Sequence, residues 1–272
     1  MMRPTVNRVI GLRFPREVLL IGVAYGFYQV VRSVSADRAL DALENAKLLV
    51  SAERALGIFS ELNLQAAVLS WQGLVDFLSL WYFWGHFPFI VVIAVFTLFR
   101  RRGDYVWARN AIFAAGAIAL VVYVTFPVAP PRLFPGAGFV DTLRDVFALQ
   151  YEDSTVVNQY AAVPSMHQGF ALIMGVAMYR MFGGRKGAAL MLALPALMFI
   201  SIVATGNHWF IDALLGLLVA AIGMKLAFLV ERHGLPLPQP LRSFLSADPP
   251  PPPPGSAPPA RPDAVSPAET SR

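Results

Sequence analysis

Cysteine is absent from the 272-residue chain, which excludes disulfides, a thiolate nucleophile and any cysteine-ligated metal. Charge is scarce as well: 14% of residues are charged and 56% are hydrophobic, where a soluble domain carries roughly a quarter charged residues. With a mean hydropathy of +0.56, this deficit makes lipid the main solvent. Histidine is rare, four in all, so a histidine placed inside a motif carries information. The net charge of +5 and the isoelectric point near 9.7 are compatible with nucleic acid. In so apolar a chain, however, basic residues are expected to flank membrane spans on the cytoplasmic side, and no nucleic-acid partner is expected.

What the chain has instead is a series of long apolar runs. Residues 1–16 are polar and carry Arg3, Arg8, Arg13 and Arg16. They predict a cytoplasmic N-terminal segment. The first run, 17–33, has the look of a signal peptide with a weak cleavage site at Val34-Ser35-Ala36. The five further runs, and the lack of any secreted-domain pattern, favour a retained helix. Further spans are expected near 71–99, 109–127, 165–182, 187–205 and 209–230, each long enough to cross a bilayer. Between the first two lies 36–62, where Ala39, Ala42, Leu43, Ala46, Leu49 and Val50 recur at helical spacing. Asp37, Asp41, Glu44 and Lys47 occupy the opposite face. This predicts an amphipathic helix at the membrane interface or against the other helices, with a bend or end near Glu53, which interrupts the apolar stripe. The tail, 233–272, contains six consecutive prolines at 249–254 and predicts a disordered cytoplasmic segment. The fold class expected is therefore all-α: a polytopic six-transmembrane-helix bundle over 17–232, with a surface helix and a disordered tail.

Loop charge sets the orientation. The N-terminal segment and the 100–109 and 180–186 loops hold eleven Lys and Arg, whereas 34–70 and 128–164 hold five, with nine Asp and Glu. The positive-inside rule puts both termini in the cytoplasm of a cell-membrane protein and the long 34–70 and 128–164 segments outside. The turn before the last span is then also outside, and the candidate chemistry falls on that side.

Gly206-Asn207-His208-Trp209-Phe210-Ile211-Asp212 opens the last span. His208 and Asp212 are one turn apart on one helix face. A carboxylate there can hold one ring nitrogen and leave the other free to attack or to accept a proton. The same residues also suit an interfacial anchor, with the histidine beside Trp209 at headgroup level. Pro164-Ser165-Met166-His167 opens the fourth run as a proline-serine helix start. The free N–H groups of such an end suit a phosphate, and His167 could protonate a leaving oxygen; a plain cap beside a chance histidine is the alternative. Arg132, in Pro130-Pro131-Arg132, offers a guanidinium fork for phosphate, or is an ordinary loop arginine near headgroups. Tyr82 and His86, four apart in the second run, either line the site or form a satisfied core pair. A metal site of His167, His208 and Asp212 and a non-catalytic lipid or ion carrier are the competing readings of the same residues.

At these residues the sequence resembles the type 2 phosphatidic acid phosphatase superfamily, and within it the inositolphosphotransferase or inositol phosphorylceramide synthase-like branch. Pro164-Ser165-Met166-His167 resembles the second motif of that superfamily. Gly206-Asn207-His208 with Asp212 resembles the end of the third, and Pro130-Pro131-Arg132 the loop arginine of the first. Asn158–Val163, Tyr82 and His86, and Asn45, Glu53 and Leu56-Gly57-Ile58 are similar to the branch. The resemblance runs over about 17–230. Two features depart from it: Ile202 follows Ser201 where the third motif carries arginine, and the lysine of the first motif has no match. These departures favour the transferase-like branch, or a different basic residue completing the phosphate clamp; an inactive relative is the remaining alternative.

The resemblance implies a membrane enzyme, a metal-independent lipid phosphotransferase or phosphatase with no cofactor. His208 would form a phosphohistidine, Asp212 orient it, and His167 protonate the leaving alcohol and then deprotonate the incoming one. Arg132, Ser165, Tyr82, His86 and Asn207 would bind substrate or phosphate. The partners implied are a phospholipid or other lipid phosphate and a polyol acceptor such as inositol, or a lipid alcohol; water as acceptor makes a phosphatase.

Overall fold

The computed structural model describes residues 4–147 and 158–234, with side chains described from residue 14 and, in the outer loop, as far as Arg144. The disordered-tail expectation and most of the loop just before Asn158 lie outside the described residues. The described chain is helical, and its one β feature is an isolated bridge between Val128 and Ala161. Helix α1 spans Pro4–Ala36, α2 Ala39–Ala55, α3 Glu61–Leu69 and α4 Gln72–Leu80. A π turn, Trp81–Gly85, leads directly into α5, His86–Arg100. Then follow α6 Arg102–Thr125, the short α7 Thr142–Phe147, α8 Met166–Phe182, α9 Gly184–Ala204 and α10 Phe210–His233.

Five of the described helical stretches are long and apolar enough to cross a membrane: Phe14–Ala36, Gln72–Arg100, Arg102–Thr125, Gly184–Ala204 and Phe210–His233. The fourth expected span is α8, which at 17 residues extends only about 25 Å. It is also the most enclosed of the long helices, with ten buried positions, so its length is matched to the bundle around it.

The core forms where α6, α8 and α10 meet. Ala111, Ala115, Ala119 and Tyr123 of α6 pack with Ile173, Met174 and Ala177 of α8 and Val219, Ala220 and Ala227 of α10. Lipid tails are as apolar as leucine, so small residues that let backbones approach hold such helices together. A Cβ on Gly223 would lie 2.7 Å from the Ala111 carbonyl, and one on Gly175 2.8 Å from the Met191 carbonyl. Pro195 has no N–H to donate to that Met191 carbonyl, and α8 packs its glycine there.

The surface segment breaks close to Glu53, where an end was expected, and a second short helix, α3, follows. Helix α2 ends at Ala55, and Gly57 turns the chain with φ +70° before α3 begins. The stripe Ala42, Ala46, Leu49, Val50 and Glu53 is buried, so α2 lies against the bundle. Its carbonyl at Ala42 accepts the Ala129 N–H at 3.0 Å, and Asn45 donates to the Pro127 carbonyl at 2.8 Å. Helix α1 starts at Pro4, well before the expected residue 17, and packs on α6; the Ser35 hydroxyl sits between the Val31 and Tyr123 carbonyls.

Charged side chains tie the helices together at the opposite end. Arg180 of α8 pairs with Asp104 of α6 at 2.9 Å and Glu231 of α10 at 3.1 Å, and stacks on Trp107. Glu17 of α1 is buried against Arg109 at 2.8 Å and accepts from Tyr105 at 2.9 Å.

Candidate active site

The two motif histidines come from different helix starts and meet. His208 precedes α10, His167 lies in the first turn of α8, and their ring centroids are 5.8 Å apart. Tyr82 lies 4.4 Å from His167 and 6.4 Å from His208, and His86 lies 5.6 Å from His167. The five expected side chains around this point therefore include both histidines, Tyr82, His86 and Asp212.

Helix α8 and helix α10 are locked together at their starts. The Ser165 N–H donates to the Asp212 carbonyl at 3.0 Å, and the Ser165 hydroxyl caps Gln168. A Cβ on Gly216 would sit 2.1 Å from the Ser165 carbonyl. Only a glycine there lets the cap of α8 reach α10. The π turn presents Tyr82 and His86, and its cause lies in the sequence. Pro88 cannot donate to the Trp84 carbonyl, so the helix widens just before it.

His208 is 4% exposed and Asp212 fully buried. Nδ1 of His208 lies 3.1 Å from the Ala162 carbonyl and 3.3 Å from Asp212 Oδ2. A carbonyl can only accept, so Nδ1 carries the proton and Nε2 carries the lone pair. Burial holds the His208 imidazole well below its usual range, to about 3, and the charge of Arg132 acts in the same direction against the Ala162 hydrogen bond. The ring is therefore neutral in the free protein. Asp212 Oδ2 also accepts the Trp209 N–H at 3.0 Å, fixing the carboxylate at the head of its own helix.

The outer loop closes over this point. The Val128 N–H donates to Tyr160, and the Ala162 N–H to Val128. This bridge carries the Ala162 carbonyl to His208. Trp209 donates from its indole to the Ala129 carbonyl at 2.9 Å, with Phe134 and Phe139 edge-on at 5.6 Å. Arg132 is nearly fully enclosed, with its Nε 3.6 Å from Asp141 and its backbone N–H on the Gly206 carbonyl at 2.8 Å. Gly206 has φ +68°, and a Cβ there would meet Gln65 at 3.0 Å, so the turn that delivers His208 requires glycine. The Asn207 amide donates to Thr205 within this turn at 2.8 Å. Ile202 is fully buried, and its carbonyl accepts the N–H groups of Asn207 and His208.

Two further residues were not foreseen in these positions. Glu61 accepts the Phe210 N–H at 3.0 Å and Glu53 the Ile211 N–H at 2.8 Å. The signal for Glu53 was a charge on the apolar stripe of α2; Glu61 gave none. Among the described residues, no group of three or more histidine, aspartate and glutamate side chains is arranged to hold a metal ion.

No curated protein and no solved structure matches the chain. The model of one family does match, over residues 47–226, a stretch that contains every one of these side chains, and by it the chain belongs to the PAP2 superfamily.

Proposed function

We propose that the protein is a membrane phosphotransferase that takes a phosphoryl or phosphoalcohol group from a lipid donor, holds it on His208, and passes it to an alcohol such as a polyol. Superfamily members are generally phosphatases or phosphotransferases. The observation that carries the reading is the His208 tautomer: Nδ1 is fixed by Ala162 and Asp212, leaving the Nε2 lone pair for attack, on a ring whose centroid is 5.8 Å from that of His167. Nε2 attacks phosphorus, the bond to the leaving alcohol breaks, and His167 gives that oxygen its proton. The acceptor hydroxyl then loses its proton to His167 and displaces His208. Asp212 balances the charge of the substituted imidazole. Arg132, the open N–H groups of α8 capped by Ser165, and His86 stabilise the phosphoryl oxygens. Tyr82 packs on His167 and limits its ring to one orientation. Asn207 supports the turn that delivers His208 and acts on the substrate only by placing that ring.

We further infer six spans, with α8 as the fourth, and an outward-facing site of the inositolphosphotransferase-like type. From His167 to the basic end at Arg180, α8 runs for about 20 Å, less than the ~30 Å hydrocarbon thickness. The site on this reading is recessed below the outer headgroups, within reach of a lipid phosphate. The test uses purified protein with phospholipid carrying labelled phosphate, with and without inositol and other polyols. Label in a new polyol ester or lipid is the expected result. Label released only as free phosphate in every mixture would overturn transfer in favour of hydrolysis, and no turnover of any lipid phosphate would leave the carrier reading.

A further inference from the structure

Behind the site, three consecutive N–H groups at the head of α10 end on three carboxyl groups from three helices. Trp209 donates to Asp212, Phe210 to Glu61 of α3, and Ile211 to Glu53 of α2. Both glutamates have no exposed surface. Each uses Oε1 for its N–H, and each Oε2 is buried without a donor. No lysine or arginine forms a salt bridge with either among the described residues. Adjacent N–H groups hold the two carboxyls side by side. Two buried neighbouring carboxylates repel, and each would leave an oxygen unsatisfied. One proton between them removes both problems, because one Oε2 becomes a donor and the other its acceptor.

We propose that Glu53 and Glu61 share one proton and act as positioning residues, fixing the first turn of α10 and with it the Asp212–His208 contact. The proposal rests on His208 being the nucleophile. The electrostatics agree with it: burial, the neighbouring Glu61 carboxyl and the charge of Asp212 push Glu53 up to about 9, against the pull of the Ile211 N–H. The groups facing Glu53 are thus Glu61 from α3 and Asp212 from α10, both acidic. Because the folded state holds this proton and the unfolded chain releases it from about 4.5 upward, the stabilising margin declines as pH rises from there towards 9. Above 9 the pair carries two charges beside Asp212, and the head of α10 loosens.

The experiment combines infrared spectroscopy with pH–rate profiles on the purified full-length protein and its Glu53→Gln and Glu61→Gln variants. A glutamine keeps the N–H acceptor and offers an amide donor to the remaining carboxylate, so it mimics the protonated partner. The wild type is expected to show the C=O stretch of a buried protonated carboxyl at neutral pH, fading together with kcat at alkaline pH. Each glutamine variant is expected to lose that band, keep kcat close to wild type at neutral pH, and lose the alkaline decline. Glu53→Ala, which has neither acceptor nor donor, is expected to cut kcat by about tenfold or more with KM little changed, as misplacement of a reacting group does. A band that persists in both glutamine variants, or variants that decline with pH as the wild type does, would overturn the proposal. The infrared band reports the pair even if every form proved inactive, so failure of the functional reading is distinguishable from failure of this one.

Discussion

The proposed mechanism gives His208 and His167 different roles, and their removal is expected to fail differently. His208→Ala abolishes the nucleophile, so turnover of every substrate is expected to fall to background, together with acid-labile, base-stable labelling of the protein by substrate phosphate. His167→Ala removes the acid. Rates on lipid substrates with poor leaving alcohols are expected to fall by ~10²–10⁴-fold, and rates on an aryl phosphate, whose leaving group needs little protonation, to fall far less. Equal losses on both substrates would remove the acid role from His167. That these side chains share one place was largely legible in the sequence, because an i, i+4 pair on a helix face and a proline-serine cap are local patterns. The hydrogen bond that decides the His208 tautomer was not legible. It comes from the backbone of Ala162, and a carbonyl carries no residue signature. Asn207 and Ile202 show the converse. Their places in a motif drew attention to their side chains, whereas the turn uses the Asn207 amide internally and the Ile202 carbonyl as its acceptor.

Elements were legible by their apolar runs and less so where the chain bends. A run of hydrophobic residues specifies a span, but the helix beyond the lipid is set by hydrogen bonding, so α1 and α6 begin upstream of their apolar stretches. The split of the surface segment at Gly57, and the short α3 and α7, depend on contacts with distant residues: Gln65 of α3 bonds Val140 and Ala204. Pro88 makes an element-scale prediction. Pro88→Ala restores the N–H to the Trp84 carbonyl and removes a residue that costs roughly 3 kcal/mol in a helix interior. The π turn is then expected to close into regular helix, turning Tyr82 and His86 away from His167. Thermal stability in detergent is expected to hold or rise while activity falls by tenfold or more, by the sensitivity of reacting groups to misplacement. Unchanged activity would show that the π turn has no part in the site. Gly216→Ala tests the same site from the other side. Its methyl would lie 2.1 Å from the Ser165 carbonyl, and separating α8 from α10 is expected to cost about 1–3 kcal/mol of overpacking. A lower melting temperature and a loss of activity larger than that of Gly116→Ala, where a Cβ meets nothing within 4 Å, is the expected pair of results.

At the scale of the whole molecule, one end of the bundle carries the candidate site and the other carries the basic cluster. Arg101, Arg180, Asp104 and Glu231 meet at the latter. Positive residues near span ends are retained on the cytoplasmic side, so the proposed orientation turns the site outward, towards lipid phosphate of the outer leaflet. The chain has no cysteine of its own, which makes single introduced cysteines clean reporters of sidedness. Asn63 on α3 and Arg144 on α7 are exposed at the site end; Gly103 is exposed at the basic end, with no atom within 4 Å of a Cβ placed there. Gly136 is a poorer outer position, since its φ of +74° strains any side chain. In intact cells, Asn63→Cys and Arg144→Cys are expected to react with a membrane-impermeant thiol reagent, and Gly103→Cys only after the membrane is opened. Labelling of Gly103→Cys alone in intact cells would invert the protein, place His208 and His167 on the cytoplasmic side, and assign the enzyme to inner-leaflet lipids and cytoplasmic acceptors.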